Sequence, residues 1–127
     1  MPATQAYVEH VAIHVRDIAQ HIAFFEDVLG MTITKLEGDP AAPSQVWLLG
    51  GLQLISDPGF SGPEGRMAHL GIVCADVPAA IEAAHARGAR STEKGENWLA
   101  LLDGLVLEFL PETKDAVRQV RSLDPRA

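Results

Sequence analysis

Apolar and polar residues alternate from Tyr7 to Val15, so that Val11, Ile13 and Val15 share one face of a strand and His10, Ala12 and His14 the other. The period then changes. Ile18, Ile22 and Phe25 recur at helical spacing behind Asp17, an N-cap residue with Gln20 three positions on, and Gly30 is placed to end the helix. This predicts a helix whose apolar stripe covers the aliphatic face of the first strand. Alternation returns in Met31 to Leu36, while Gly38 to Pro43 reads as a loop from its Pro and Gly content. Two further strands, Gln45 to Leu49 and Leu52 to Ser56, flank Gly50-Gly51, read as a two-residue hairpin turn.

The same order is then written again. His69, Gly71 and Val73 alternate with Leu70, Ile72 and Cys74, and the latter set is the one a helix should cover. Asp76 caps that helix, Pro78 sits in its first turn, Ile81 and Ala84 point inward and Gly88 ends it. Strands are expected near residues 89–92, 98–102 and 105–110, with Asp103-Gly104 as a hairpin signal. Each copy opens with a His and carries an Asp seven residues later, at His10 and Asp17 and at His69 and Asp76. Residues 48–58 also lie over 101–111 without a gap, with six of eleven positions identical, a match too dense for chance. The expected fold class is α+β: two tandem βαβββ modules forming a cupped eight-stranded sheet. Residues 5–58 and 67–111 are the modules, 59–66 a linker rich in Pro and Gly, and 112–127 a polar, partly helical tail to which no chemistry is assigned.

Composition narrows the partners. An apolar fraction of 47% over 127 residues suffices for a packed core and excludes a disordered chain. The formal charge of −7 argues against nucleic acid and against an anionic membrane surface, which leaves a small molecule or another protein. Cys74 is the sole cysteine, so it reads as a buried reduced thiol. Neither a basic, apolar leader nor a membrane-length apolar run is visible, and a soluble cytoplasmic protein is expected. The open edges of small strand sets make a homodimer the expected assembly.

The candidate chemistry lies on the strand faces that no helix covers. With Leu102 opposite Leu105, Glu108 falls across from Leu99 and beside Leu101, Val106 and Leu110. A carboxylate in that apolar row is costly unless it is paired or bound to a metal. With Leu49 opposite Leu52, Gln53 and Ile55 take the equivalent face together with Val46 and Leu48, and Trp47 and Trp98 fall on the opposite, helix-packed face. If both modules turn these faces toward one cup, His10, His69 and Glu108 converge as two imidazoles and a carboxylate, a divalent-metal set with positions left open. His14 faces the same way and is a candidate for substrate binding. Arg66, Lys94 and Asn97 stand on loops or strand ends where an anionic substrate could be met, and His21 and His85 on solvated helix faces.

Four segments, Glu9 to Ile13, Ala23 to Gly30, Ala68 to Ile72 and Leu107 to Leu110, carry a resemblance that extends to about Glu112. The chain resembles the vicinal oxygen chelate superfamily, which includes glyoxalase I, methylmalonyl-CoA epimerase, extradiol dioxygenases and the fosfomycin- and bleomycin-resistance proteins. The resemblance implies His10, His69 and Glu108 as ligands of one divalent metal ion (Zn, Ni, Co, Mn or Fe). In the glyoxalase and epimerase branches it implies a fourth ligand, Glu or Gln, in the last strand of the first module. Gln53 is the candidate, although the gapless internal match sets Ile55 against Glu108. The activity implied is that of a metal-dependent isomerase or lyase moving a proton next to a metal-bound carbonyl of a small carbonyl or thioester substrate, with Glu108 as catalytic proton shuttle. The third-strand acid of the epimerase branch has no counterpart at Val46 or Leu48, and the Thr and Tyr of the fosfomycin-modifying enzymes are missing. The alternatives are a ferrous extradiol-type dioxygenase, whose additional His and Tyr are absent from residues 89–111, or a non-enzymatic binding protein of the bleomycin-resistance kind, which generally lacks the His-His-Glu set.

Overall fold

A computed structural model describes residues 2–29, 31–62, 67–102 and 104–123. Among these residues, eight strands in a mixed sheet and three helices make an α+β fold, as the residue pattern predicts. The order is β1 (Ala6–Val15), α1 (Ile18–Leu29), β2 (Ile33–Asp39), β3 (Ala42–Leu48), β4 (Leu52–Ser56), β5 (Met67–Cys74), α2 (Val77–Ala86), β6 (Arg90–Thr92), β7 (Gly95–Ala100), β8 (Val106–Pro111) and α3 (Ala116–Ser122). Two compact units are present, one of residues 10–68 and one of residues 1–9 with 69–127. The polar tail carries α3, whose Val117 is buried.

In the unit of residues 10–68 the strands run β2-β3-β4-β1, antiparallel except for the parallel β4-β1 pair. Val15, Ile18, Val46, Leu48 and Leu54 form its core, with Ile13, Ile22 and Phe25 packed against them, so α1 covers the aliphatic strand face. The Gln20 amide donates to Asp17 Oδ1 at 3.1 Å, which is the expected cap. Gly30, the expected helix end, lies outside the described residues.

Two expectations in this unit are corrected. Residues 38–43 are not a loop: β2 runs to Asp39 and β3 begins at Ala42, with only Pro40 and Ala41 between the paired ends. Gly38 and Pro43 face each other across a register shift, where Gly38 has φ +90° and an added Cβ would lie 2.9 Å from Ser44 N. Gly and Pro here mark a bulged hairpin, not its absence. The second correction concerns the turn at Gly50-Gly51. Leu48, not Leu49, pairs with Leu52, so the loop holds three residues, Leu49, Gly50 and Gly51, both glycines having φ near +100°.

The other unit repeats this arrangement as β5-β8-β7-β6, with β5 and β8 parallel. Cys74, Ala80, Ala89, Leu99 and Phe109 form its core under α2. Asp76 caps α2 by accepting from Ala79 N at 3.0 Å, and its own amide donates to Thr4 Oγ1 at 2.9 Å. The adjacent Ala75 N–H donates to the Gln5 carbonyl. The β7-β8 loop is again three residues long, since Leu101 N donates to Leu105 O at 2.9 Å; Asp103 within it lies outside the described residues.

One extra loop residue inverts facing, because side chains alternate with a period of two. Glu108 therefore pairs with Trp98, not Leu99, and Gln53 pairs with Trp47, not Leu48. Val46 and Leu48 are core residues under α1, and the third-strand positions on the Gln53 face are Gln45 and Trp47.

Replacing the capping carboxylate in Asp76→Ala is expected to cost about 0.5–2 kcal/mol of stability, read as a lower denaturation midpoint in urea. Cys74 is 1% exposed, and burial raises its thiol above the ordinary pKa. At pH 8.5, where a free cysteine is substantially thiolate, Cys74 should react with a disulfide reagent only after denaturant is added; rapid labelling of the native protein would contradict its placement.

Candidate metal centre

His69 sits in β5 and Glu108 in β8, and the parallel register places Gly71 beside Glu108. His69 stands two residues before Gly71 on the same face of β5. His69 Nε2 lies 3.4 Å from Glu108 Oε1, with the imidazole 7% and the carboxylate 18% exposed. The Trp98 ring stands edge-on to His69, with ring centroids 4.7 Å apart and an interplanar angle of 76°. The expectation that Trp98 packs under the helix is thus replaced by direct contact with a candidate ligand. Lys94 Nζ lies 4.5 Å above the same indole ring, a cation–π geometry. Asn97 is occupied, its Nδ2 donating to the Phe109 carbonyl at 2.9 Å.

The unit of residues 10–68 holds the other candidates. His10 and Gln53 are 4% exposed, and Ala12, two residues after His10, pairs in parallel with Gln53. Gly71, two residues after His69, pairs with Glu108 in the same way. Relative to its own His, Gln53 therefore occupies the position of Glu108. Ile55 pairs with His14, one side-chain repeat further along. The gapless sequence match misleads because the β3-β4 hairpin is two rungs shorter than β7-β8 between its Trp row and its loop. The sequence does hold a signal for this: matching Trp47 to Trp98, instead of leucine to leucine, brings Gln53 onto Glu108.

Gln53 is also held in an informative way. Its Nε2 donates to Gln45 Oε1, while its own Oε1 is buried with no hydrogen-bond partner among the described residues. A buried amide oxygen without a partner costs roughly 1–3 kcal/mol, which a bound cation or a donor would recover. Gln45 is a residue that reading the sequence missed, because the assumed hairpin length turned it toward the helix. Trp47 lies on the Gln53 face, with Lys35 Nζ 4.6 Å above its ring.

His14 is four residues along β1 from His10 on the same face, about 13 Å in an extended strand, too far to share an ion with it. Its Nδ1 lies 3.5 Å from Asp57 Oδ2, and its ring stacks toward Phe60 at 6.4 Å. His21 and His85 are spent locally, on the Asp17 carbonyl at 2.8 Å and on Ser91 Oγ at 2.9 Å. Arg66 lies outside the described residues. Among those residues no helix is long and apolar enough to cross a membrane.

A family model described as Glyoxalase/Bleomycin resistance protein/Dioxygenase superfamily matches residues 9–100. The chain belongs to this superfamily. Solved structures agree in fold. Methylmalonyl-CoA epimerase from Mycobacterium tuberculosis superposes with a TM-score of 0.59 at 18% identity, covering 87% of this chain and 91% of that one. A singly substituted form of the Streptomyces coelicolor methylmalonyl-CoA epimerase, in complex with 2-nitronate-propionyl-CoA, gives 0.63 at 18% identity over 87% of this chain and 96% of that one. The 2,3-dioxygenase LapB from Pseudomonas sp. KL28 gives 0.60 at 15% identity over 83% of this chain and 42% of that chain. No curated protein sequence matches. The fold is thus shared with an epimerase and a dioxygenase, and the family match ends before Glu108, so that residue is a candidate from its place in β8 and not from the family model.

Proposed function

We propose that the protein is a metal-dependent isomerase or lyase that moves a proton on the carbon next to a carbonyl of a small carbonyl or thioester substrate. The observation that carries the proposal is the shielded His69–Glu108 pair at 3.4 Å. Two imidazoles and a carboxylate, from His10, His69 and Glu108, are a donor set suited to one divalent cation. Gln53 fits as a fourth donor, because its buried amide oxygen is otherwise unpartnered among the described residues. When bound, the cation supplies Lewis-acid polarisation of the substrate carbonyl. Glu108, whose carboxylate is largely shielded from water, takes the proton from the adjacent carbon and returns it. Trp98, edge-on to His69, fixes the imidazole plane and narrows the approach to the pair. His14, oriented by Asp57, receives the polar end of the substrate remote from the carbonyl.

Purified protein is expected to hold one divalent metal per chain by elemental analysis, and His69→Ala to lose it. Full occupancy in that variant would refute the ligand set. For the reaction, candidate 2-oxo, hemithioacetal and thioester compounds in deuterated water should take up deuterium beside the carbonyl, and Glu108→Gln should slow the exchange by at least about 100-fold. Oxygen consumption with catechols under ferrous iron, without exchange on any carbonyl compound, would favour the dioxygenase branch instead.

A further inference from the structure

We infer that Gln45 is a positioning residue that presents the Gln53 carbonyl oxygen as a metal ligand; the inference rests on the proposed metal centre. An amide side chain offers one oxygen acceptor and one nitrogen donor at nearly the same place, and a metal takes only the oxygen. Unless something distinguishes the two ends, half of the rotational states present the wrong atom. Gln45 supplies the distinction. It lies diagonally across the β3-β4 ladder from Gln53, since Gln45 pairs with Ile55 and Trp47 with Gln53, a separation that long side chains span.

Gln45 Oε1 accepts from Gln53 Nε2, which commits the nitrogen end of Gln53 and leaves Oε1 as the atom with an open valence. The bond also draws electron density toward Oε1 and makes it a better donor to a cation. Gln53 is 4% exposed, so water does not provide the alternative partner that would let the amide turn over. Trp47 pairs with Gln53 on one side and Lys35 on the other, and the Lys35 ammonium lies over its ring. Partners that orient metal ligands in this way typically account for about 10–100-fold in metal affinity.

The test uses cobalt(II) as the probe, with wild type, Gln45→Met, Gln53→Ala and the double variant, measuring the dissociation constant by titration and the cobalt absorption band. Gln45→Met keeps side-chain length but has no amide acceptor; it should weaken cobalt binding by about 10-fold and change the band. If Gln45 acts through Gln53, adding Gln45→Met to Gln53→Ala should cause no further loss. Gln45→Glu, which retains an accepting oxygen, should keep the band of wild type. Thermal melts of the apoproteins identify any variant whose loss reflects unfolding, and for such a variant the Gln45→Glu band decides: a band like that of Gln53→Ala overturns the inference. Unchanged affinity in Gln45→Met, or the same fold-loss in the Gln53→Ala background, also overturns it while leaving the metal centre intact. A wild-type protein that binds no cobalt removes both.

Discussion

The parallel ladder between the first and last strand of each unit is the constraint on which the candidate chemistry depends. In one unit it sets Ala12 beside Gln53, and in the other Gly71 beside Glu108. Both small residues stand two places after a His, so each His has a long polar side chain on the neighbouring strand at the same offset. In the second unit the two approach to 3.4 Å, His69 Nε2 to Glu108 Oε1. The antiparallel hairpin then adds a tryptophan to the row, Trp47 next to Gln53 and Trp98 next to Glu108, and a lysine ammonium lies over each indole. One pattern has been used twice with its polar residue changed from amide to acid.

Much of this was legible in the residues, and what was not traces to the geometry of the hairpins. Repeated His and Asp positions, helical spacing behind each Asp and alternating strands gave the α+β order, and the caps at Asp17 and Asp76 formed as their spacing predicts. Val46 and Leu48, set on the uncovered face by the assumed hairpin length, lie in the core with Leu54, whereas helix cover of Ile13 and Val15 follows from the alternation of the first strand and does not need a register. The facing of Trp47, Trp98 and Gln45 does need one. Gly50-Gly51 tolerates positive φ in either a two- or a three-residue loop, and that single residue decides which side of the strand is buried. Tryptophan, amphipathic enough for either face, gives no warning of the error. Gly38 and Pro43 misled in a related way, because the composition of a bulged edge hairpin is also the composition of a loop.

The choice between Gln53 and Ile55 shows why a local match is a poor guide to a site built from non-adjacent strands. The leucine-rich match aligns the hairpins from their loops, where the chain reverses, whereas ligand geometry is counted from the other strand of the parallel pair. Those two references differ by two rungs here. Lengthening a hairpin by that amount keeps the parity of facing and so alters nothing in the core pattern, yet it exchanges Ile55 for Gln53 next to the crossing.

The substitution of an amide for an acid at that crossing also bears on what the centre would do. Two neutral imidazoles, one carboxylate and one amide around a divalent cation leave a net positive charge, where a second carboxylate would leave none. In the proposed centre that residual charge would favour negative charge developing on a substrate oxygen, and Glu108 would be the one anionic group of the set available to a proton. An amide, however, is a weaker donor than a carboxylate and has two ends to choose between, so its use as a ligand requires that something fix its orientation. Glu108 does not face that problem, since either of its oxygens serves. The bond from Gln53 to Gln45 is therefore expected in the unit that carries the amide and dispensable in the one that carries the acid, where the residue two places before the tryptophan is Glu96, an exposed side chain.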